Sequence, residues 1–420
     1  MKFIHAADIH LDSPLRGLER YEGAPVTELR GATRKALERL VQLSISEGVE
    51  FVLIAGDVYD GDWKDYNTGL FFARQMARLR EADIKVFLIR GNHDAASQIT
   101  RDLKLPENVH EFPAPKPATV LLEDLGVAIH GQSFSTSAVT DDLSAGYPLA
   151  KESCFNIGLL HTSAGGREGH ENYAPCNPAG LLSKGYDYWA LGHVHQREVL
   201  HEDPWIVFPG NVQGRHVREI GSKGCSLVTV ADGRVRAVEH RPLHLVRWCE
   251  CVVAAEGAAD LDELLDRARR VLLAELGLAE ERLLAVRLVV RGACRAHRVL
   301  VTQQEQFINE CRALANDIGA GQVWVEKVQL QTRAAVDLDE LVRRADPLGE
   351  LLRFIRGLPA DEATLADLLT EFKDLKQKLP LELRHGADAI NLEDPALVRA
   401  LLGDVEQLLL ARLLEQEGAR

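Results

Sequence analysis

The sequence predicts an α/β (α+β) chain: two packed sheets flanked by helices, then a small α/β module, then a wholly helical C-terminal region. Three observations predict it. Residues 1–130 alternate short apolar runs with helical spacing. From Thr119 to about residue 243 the pattern changes to short β segments and hairpin turns. Beyond Asp337 apolar residues recur only at helical spacing.

The elements follow in order. Lys2–Ala7, 50–55 and Lys85–Ile89 read as buried strands, and Leu29–Glu47 and Tyr66–Arg80 as helices, the first with Leu37, Leu40, Val41 and Ile45 on one side. Val120–Glu123 and Val127–His130 are expected to pair across Leu125-Gly126. Leu227–Val230 and Val235–Glu239 are expected to pair across Asp232-Gly233, a strong hairpin signal. In the second module the strand Arg247–Ala254 is followed by the helix Leu261–Leu276, the strands Leu284–Val290 and Arg298–Val301, the helix Glu305–Asp317 and a last segment, Gln322–Gln331. Two apolar stripes mark the tail: Leu365, Leu368, Leu369, Phe372 and Leu375, then Leu401, Leu402, Val405, Leu408, Leu409 and Leu413. The expected domains are therefore 1–243, 244–336 and 337–420.

Length and composition agree with two or three domains: 420 residues, 46% of them hydrophobic. No run of 18 apolar residues suggests a transmembrane helix, and the short first run, interrupted by His5 and Asp8, does not read as a signal peptide. Seven cysteines without a CxxC pair read as reduced thiols of a cytoplasmic protein, with Cys249 and Cys251 on one strand face. The net charge of −14 argues against a broad basic DNA-binding face. Half of that excess lies beyond residue 336, where eighteen acidic residues face eleven basic ones.

Chemistry gathers at the ends of the apolar runs. Asp8 and His10 follow the first, Asp57 the second and Asn92-His93 the third; His161 follows Ile157-Gly-Leu-Leu, and His193 and His195 follow Trp189-Ala-Leu-Gly. Five strand ends thus carry Asp, Asn and His towards what reads as one sheet edge, where open α/β sheets place their sites. Asp57 has two oxygens and can bridge two cations, and Gly56 before it lets the backbone come close. The set is nitrogen and oxygen only, which suits Mn, Fe or Zn over Mg or Ca, with Mn favoured for phosphate chemistry. Taken singly each element reads more readily as a turn or a surface pair; five in one chain do not.

Asp8-x-His10, Gly56-Asp57, Gly91-Asn92-His93-Asp94, His161 and Gly192-His193-x-His195 resemble, in order, the motifs of the calcineurin-like metallophosphoesterases. The wording of residues 7–14, 56–60 and 209–216 is similar to the SbcD-like DNA repair exonucleases, and within them to the YhaO-type branch. The likeness covers roughly residues 1–240; beyond that it is one of domain order. It implies a two-sheet metallophosphoesterase sandwich and two divalent metal ions. One would be held by Asp8, His10, Asp57 and His195, the other by Asp57, Asn92, His161 and His193. It implies that His93 serves the leaving group, that 244–336 caps and grips DNA, and that the C-terminal helices dock an SbcC-like (YhaN-like) coiled-coil ATPase. A homodimer is implied too. Some nucleases of the superfamily carry a second histidine three residues after the bridging aspartate; here that position is Asp60.

The expected activity is thus two-metal hydrolysis of DNA phosphodiesters, as exonuclease or endonuclease, in repair or recombination. His93 is expected to be tuned by Asp94 or a backbone carbonyl. Arg215 and His216, after Gly214, are read either as a DNA-backbone clamp or as a plain turn. His5, His110, His130, His170, His201, His240, His244, His297 and His385 are read as structural or solvated. Two rivals stand: a phosphodiesterase or phosphatase acting on a small nucleotide or a phosphoprotein, and an accessory subunit that mainly anchors a partner ATPase.

Overall fold

The computed structural model describes residues 1–357 apart from 14, 16–22, 61–65, 97–103, 165–172 and 336–337. Beyond 357 it describes only 378, 394, 397, 400–405 and 408–409. These fall into two compact units, one spanning Met1–Leu15 and Pro25–Trp248 and the other chiefly Cys249 onward.

In chain order the first unit runs β1 (Lys2–Ala6), α1 (Val26–Glu47), β2 (Phe51–Ala55), α2 (Tyr66–Glu81), β3 (Lys85–Ile89), α3 (Asn92–Ala96), β4 (Val109–Glu111), β5 (Ala118–Leu122), β6 (Val127–Gly131), β7 (Phe155–His161), α4 (Pro178–Leu182), β8 (Tyr188–Gly192), β9 (Glu198–Glu202), β10 (Trp205–Phe208), β11 (Gly224–Ala231) and β12 (Arg234–Pro242). Two six-stranded sheets result, ordered β12-β11-β1-β2-β3-β4 and β5-β6-β7-β8-β10-β9. β1 to β4 are parallel in the first, as are β6, β7, β8 and β10 in the second.

The strands are apolar on both faces because each sheet is covered twice. In β2, Phe51, Leu53 and Ala55 face the other sheet and pack with Ile129, Ile157, Leu159 and Tyr188. The alternate residues Val52 and Ile54 face Leu37, Leu40 and Val41 of α1 and Met76 and Leu79 of α2. On the far side of the second sheet Leu160, Trp189, Leu191 and Phe208 pack with Leu181 and Tyr186. Both expected hairpins form, and Asp232 and Gly233 take positive φ of 54° and 68° at the tip of the second.

The second unit holds β13 (Val246–Ala254), α5 (Leu261–Leu278), β14 (Leu283–Cys294), α6 (His297–Thr302), α7 (Gln304–Gly319), β15 (Val323–Ala334), α8 (Leu338–Arg343) and α9 (Pro347–Gly357). β13, β14 and β15 form a three-stranded sheet whose core includes Leu264, Leu272, Phe307 and Leu314. One expectation is corrected: 298–301 is helical, not a strand. Its run Arg-Val-Leu-Val is too short for periodicity to separate the two, and Leu300 is buried against α7 and its neighbours as a helical residue. Cys249 and Cys251 are both buried, with sulfurs 3.7 Å apart. The stripe 365–375 lies outside the described residues. Among the described residues no helix is long and apolar enough to cross a membrane.

Candidate metal centre

The expected ligands meet not at one sheet edge but where the ends of two facing sheets align. Beyond β1 and β2 the chain stays zipped: Asp8 N donates to Gly56 O, His10 N to Asp57 O and Leu11 N to Val58 O, at 2.8–3.1 Å. This puts Asp8 and His10 beside Asp57. From the other sheet His193 N donates to both oxygens of Asp8 at 3.1 and 3.0 Å. His93 N, in the first turn of α3, donates to Asp57 Oδ1 at 3.0 Å. Asp8, His10, Asp57 and His193 all have positive φ, of 52°, 45°, 51° and 103°. Backbone in that region is uncommon outside glycine and gathers where a site over-determines it.

The ring nitrogens are assigned by their partners. His161 Nδ1 donates to Ala55 O at 2.8 Å, which turns its Nε2 inward, 3.1 Å from Asn92 Oδ1 and 3.5 Å from Asp57 Oδ2. His195 Nδ1 donates to Glu219 Oε1 at 2.7 Å, which turns its Nε2 towards His10 Nε2, 3.2 Å away. His10 Nε2 is 4.0 Å from Asp57 Oδ2. The His193 ring lies 5.2 Å from that of His161, centroid to centroid. Asp8 with His10 and His195, and Asp8 with Asp57 and His161, each bring their donor atoms within 4.8 Å of one another. Glycine is required between them: a Cβ on Gly91 would stand 2.2 Å from Asp57 Oδ1, and one on Gly56 2.5 Å from His161 Nδ1.

Electrostatics point the same way. Burial, with Arg215 adding to it, pushes His10 down to about 3, so it is neutral with a lone pair to offer. Burial opposes protonation of His161, yet Asp57 and Asp8 outweigh it and push the group up to about 9. Burial raises Asp57 also, but the imidazoles of His161, His10 and His93 more than offset it and hold the carboxyl below its usual range. Burial raises Asp8. Two buried carboxylates that draw a proton onto a fully buried imidazole define a place for positive charge. Imidazole nitrogens and carboxylate oxygens turned inward fit divalent cations: Asp8, His10 and His195 make one group and Asp8, Asp57 and His161 another, with Asn92 Oδ1 on His161 Nε2; the division into two four-residue ligand sets remains what the resemblance implies.

His93 is half-exposed, and its partner is Asp60, not Asp94 or a carbonyl: Nδ1 lies 3.0 Å from Asp60 Oδ1. Asp94 is buried and instead accepts from Val58 N, Tyr59 N and Gly91 N, tying the loops after β2 and β3 together. Burial and Asp57 push it up to about 7. Arg215 is mostly buried, its Nη2 3.0 Å from Glu219 Oε1 and its Nη1 3.5 Å from Asp60 Oδ2. His216 is half-exposed, 3.7 Å from Glu219 Oε1. Glu219 and Lys223 escaped the sequence reading. Glu219 also accepts from Asn211 Nδ2 and Arg215 N, and Lys223 Nζ donates to His195 O at 2.7 Å. The remaining described histidines have structural partners where the hydrogen bonds show them: His5 binds Tyr188 and Leu191 O, and His130 binds Thr119 and Asn156. His170 and His385 lie outside the described residues.

Residues 1–197 match the calcineurin-like phosphoesterase family model, and residues 248–333 match that of the middle domain of the metallophosphoesterase YhaO. The chain carries a calcineurin-like metallophosphoesterase domain followed by a YhaO middle domain. It is 36% identical over 268 residues to the uncharacterized metallophosphoesterase YhaO of Bacillus subtilis, covering 63% of this chain and 65% of that one. It is 26% identical over 216 residues to the DNA double-strand break repair protein Mre11 of Saccharolobus solfataricus (48% and 51% covered). With Mre11 of Methanopyrus kandleri it shares 25% over 297 residues (64% and 63%). The chain thus spans between half and two thirds of these relatives.

Proposed function

We propose that this chain is a metal-dependent phosphodiesterase that cleaves DNA. The observation that carries the metal-dependent part is the convergence of buried Asp8 and His10 with His195, the two Nε2 atoms lying 3.2 Å apart and His195 Nδ1 committed to Glu219. The relatives bearing the name of a DNA break repair protein support DNA as the substrate.

Bound there, two divalent cations would activate a water and neutralise charge on the phosphoryl oxygens, and Mn suits the nitrogen and oxygen donors. The chain's own residues do the rest. Asp57 and Asp8 are fixed by backbone N–H groups, so their oxygens need no reorganisation during the reaction. His161 and His195 are fixed through their Nδ1 hydrogens, which keeps Nε2 turned inward. His93, with Nδ1 on Asp60, has Nε2 to give a proton to the leaving 3′ oxygen. For partners we propose an SbcC-like coiled-coil ATPase, docked on the helices beyond residue 337.

The test is Mn-dependent release of label from end-labelled linear DNA by the purified chain, beside an aryl phosphodiester. Loss of label with the wild type and not with Asp57→Ala supports the reading. Hydrolysis of the aryl diester with intact DNA would replace it by a small-nucleotide phosphodiesterase.

A further inference from the structure

Arg215 stands between two carboxylates that hold different histidines of the site. On one side its Nη2 donates to Glu219 Oε1 at 3.0 Å and its backbone N to Oε2 at 2.7 Å; the same Oε1 accepts from His195 Nδ1 at 2.7 Å. On the other side its Nη1 lies 3.5 Å from Asp60 Oδ2, while Asp60 Oδ1 lies 3.0 Å from His93 Nδ1. The carboxylates have further anchors, Asn211 Nδ2 on Glu219 and Ser13 Oγ on Asp60. The side chain of Arg215 is 14% exposed and that of Glu219 5%.

We propose that Arg215 is a positioning residue that sets His195 through Glu219 and His93 through Asp60 as one unit, rather than a group that grips the nucleic-acid backbone. This rests on the reading above, in which His195 holds a cation and His93 faces the phosphate. A planar guanidinium fork reaches two acceptors at once, which an ammonium does not. Without it each mostly buried carboxylate loses its guanidinium partner, and its hold on its histidine rests on the remaining anchors alone. The coupling matters because ligand orientation and leaving-group protonation must both be right in the same turnover.

The experiment is titration of the metal-free chain with Mn²⁺ by calorimetry, for wild type, Arg215→Met, Arg215→Lys, Glu219→Gln and the double variant, followed by steady-state kinetics on a DNA duplex. The expected result is Mn²⁺ affinity weakened about 10–100-fold in Arg215→Met and in Glu219→Gln. The double variant should be no weaker than the worse single one, and Arg215→Lys should recover part of the loss. In the kinetics kcat falls and KM hardly moves. Wild-type Mn²⁺ affinity in Arg215→Met with a raised KM would overturn the proposal in favour of a direct contact with DNA. If Arg215→Met does not fold, unchanged Mn²⁺ affinity in both Glu219→Gln and Arg215→Lys overturns it equally. The titration needs no substrate, so failure of the wild type to cut DNA counts against the proposed function and not against this result.

Discussion

Asp60 Oδ1 lies 3.0 Å from His93 Nδ1, making the histidine one end of a carboxylate–imidazole pair that opens to solvent. Burial lowers the proton affinity of His93, but the hydrogen bond to Asp60 and the charge of Asp57 outweigh it and the group ends up raised. His93→Ala is expected to lower kcat on DNA by about 10²–10⁴, the usual range for a positioned acid. The loss should be much smaller for an aryl phosphodiester, whose leaving group needs no proton. Equal losses on both substrates, with metal content unchanged, would contradict the assigned role.

Gly91→Ala tests the packing of the centre. The added methyl has no room beside Asp57 Oδ1, and Asp57 cannot move without losing its bond from His93 N. The expected outcome is a folded chain by circular dichroism whose Mn²⁺ binding is weakened at least tenfold. Normal metal binding would mean that this wall of the site yields.

His5 gives a pH dependence separate from the metal centre. It lies between the sheets on Tyr188 and Leu191 O, and burial pushes it down to about 3. Unfolded, it titrates near 6.5. Between those values the unfolded chain binds the extra proton, so stability is fully present above pH 6.5 and falls as pH drops towards 3. The slope from one such group is at most about 1.4 kcal/mol per pH unit. Urea unfolding in EDTA at pH 7 and pH 5 should show a smaller difference for His5→Gln than for wild type. An identical difference would mean that another group carries the dependence.

Much of this was legible because the ligands follow strands. A run such as Phe51–Ala55, buried on both faces, announces a central parallel strand, and a parallel strand delivers the residues after it to the carboxyl edge. The hairpin at Asp232-Gly233 was legible from two residues. The groups that support the ligands were not. Glu219 lies 24 residues beyond His195 and carries no local pattern, and it meets the ring only because the chain returns through Asn211. The choice of Asp60 over Asp94 as partner of His93 was hidden as well. Asp94 is the sequence neighbour, but its oxygens are taken by the N–H groups of Val58, Tyr59 and Gly91, a use that only folding reveals.

The central claim of the proposed function is that the aligned strand ends would hold two divalent cations, with Asp57 needed for both. The most direct measurement is the number of Mn²⁺ ions bound per metal-free chain, for wild type and Asp57→Asn. The account predicts two for wild type and weakened binding of both in the variant. A variant that still binds two ions with wild-type affinity, or a wild type that binds none, would contradict it.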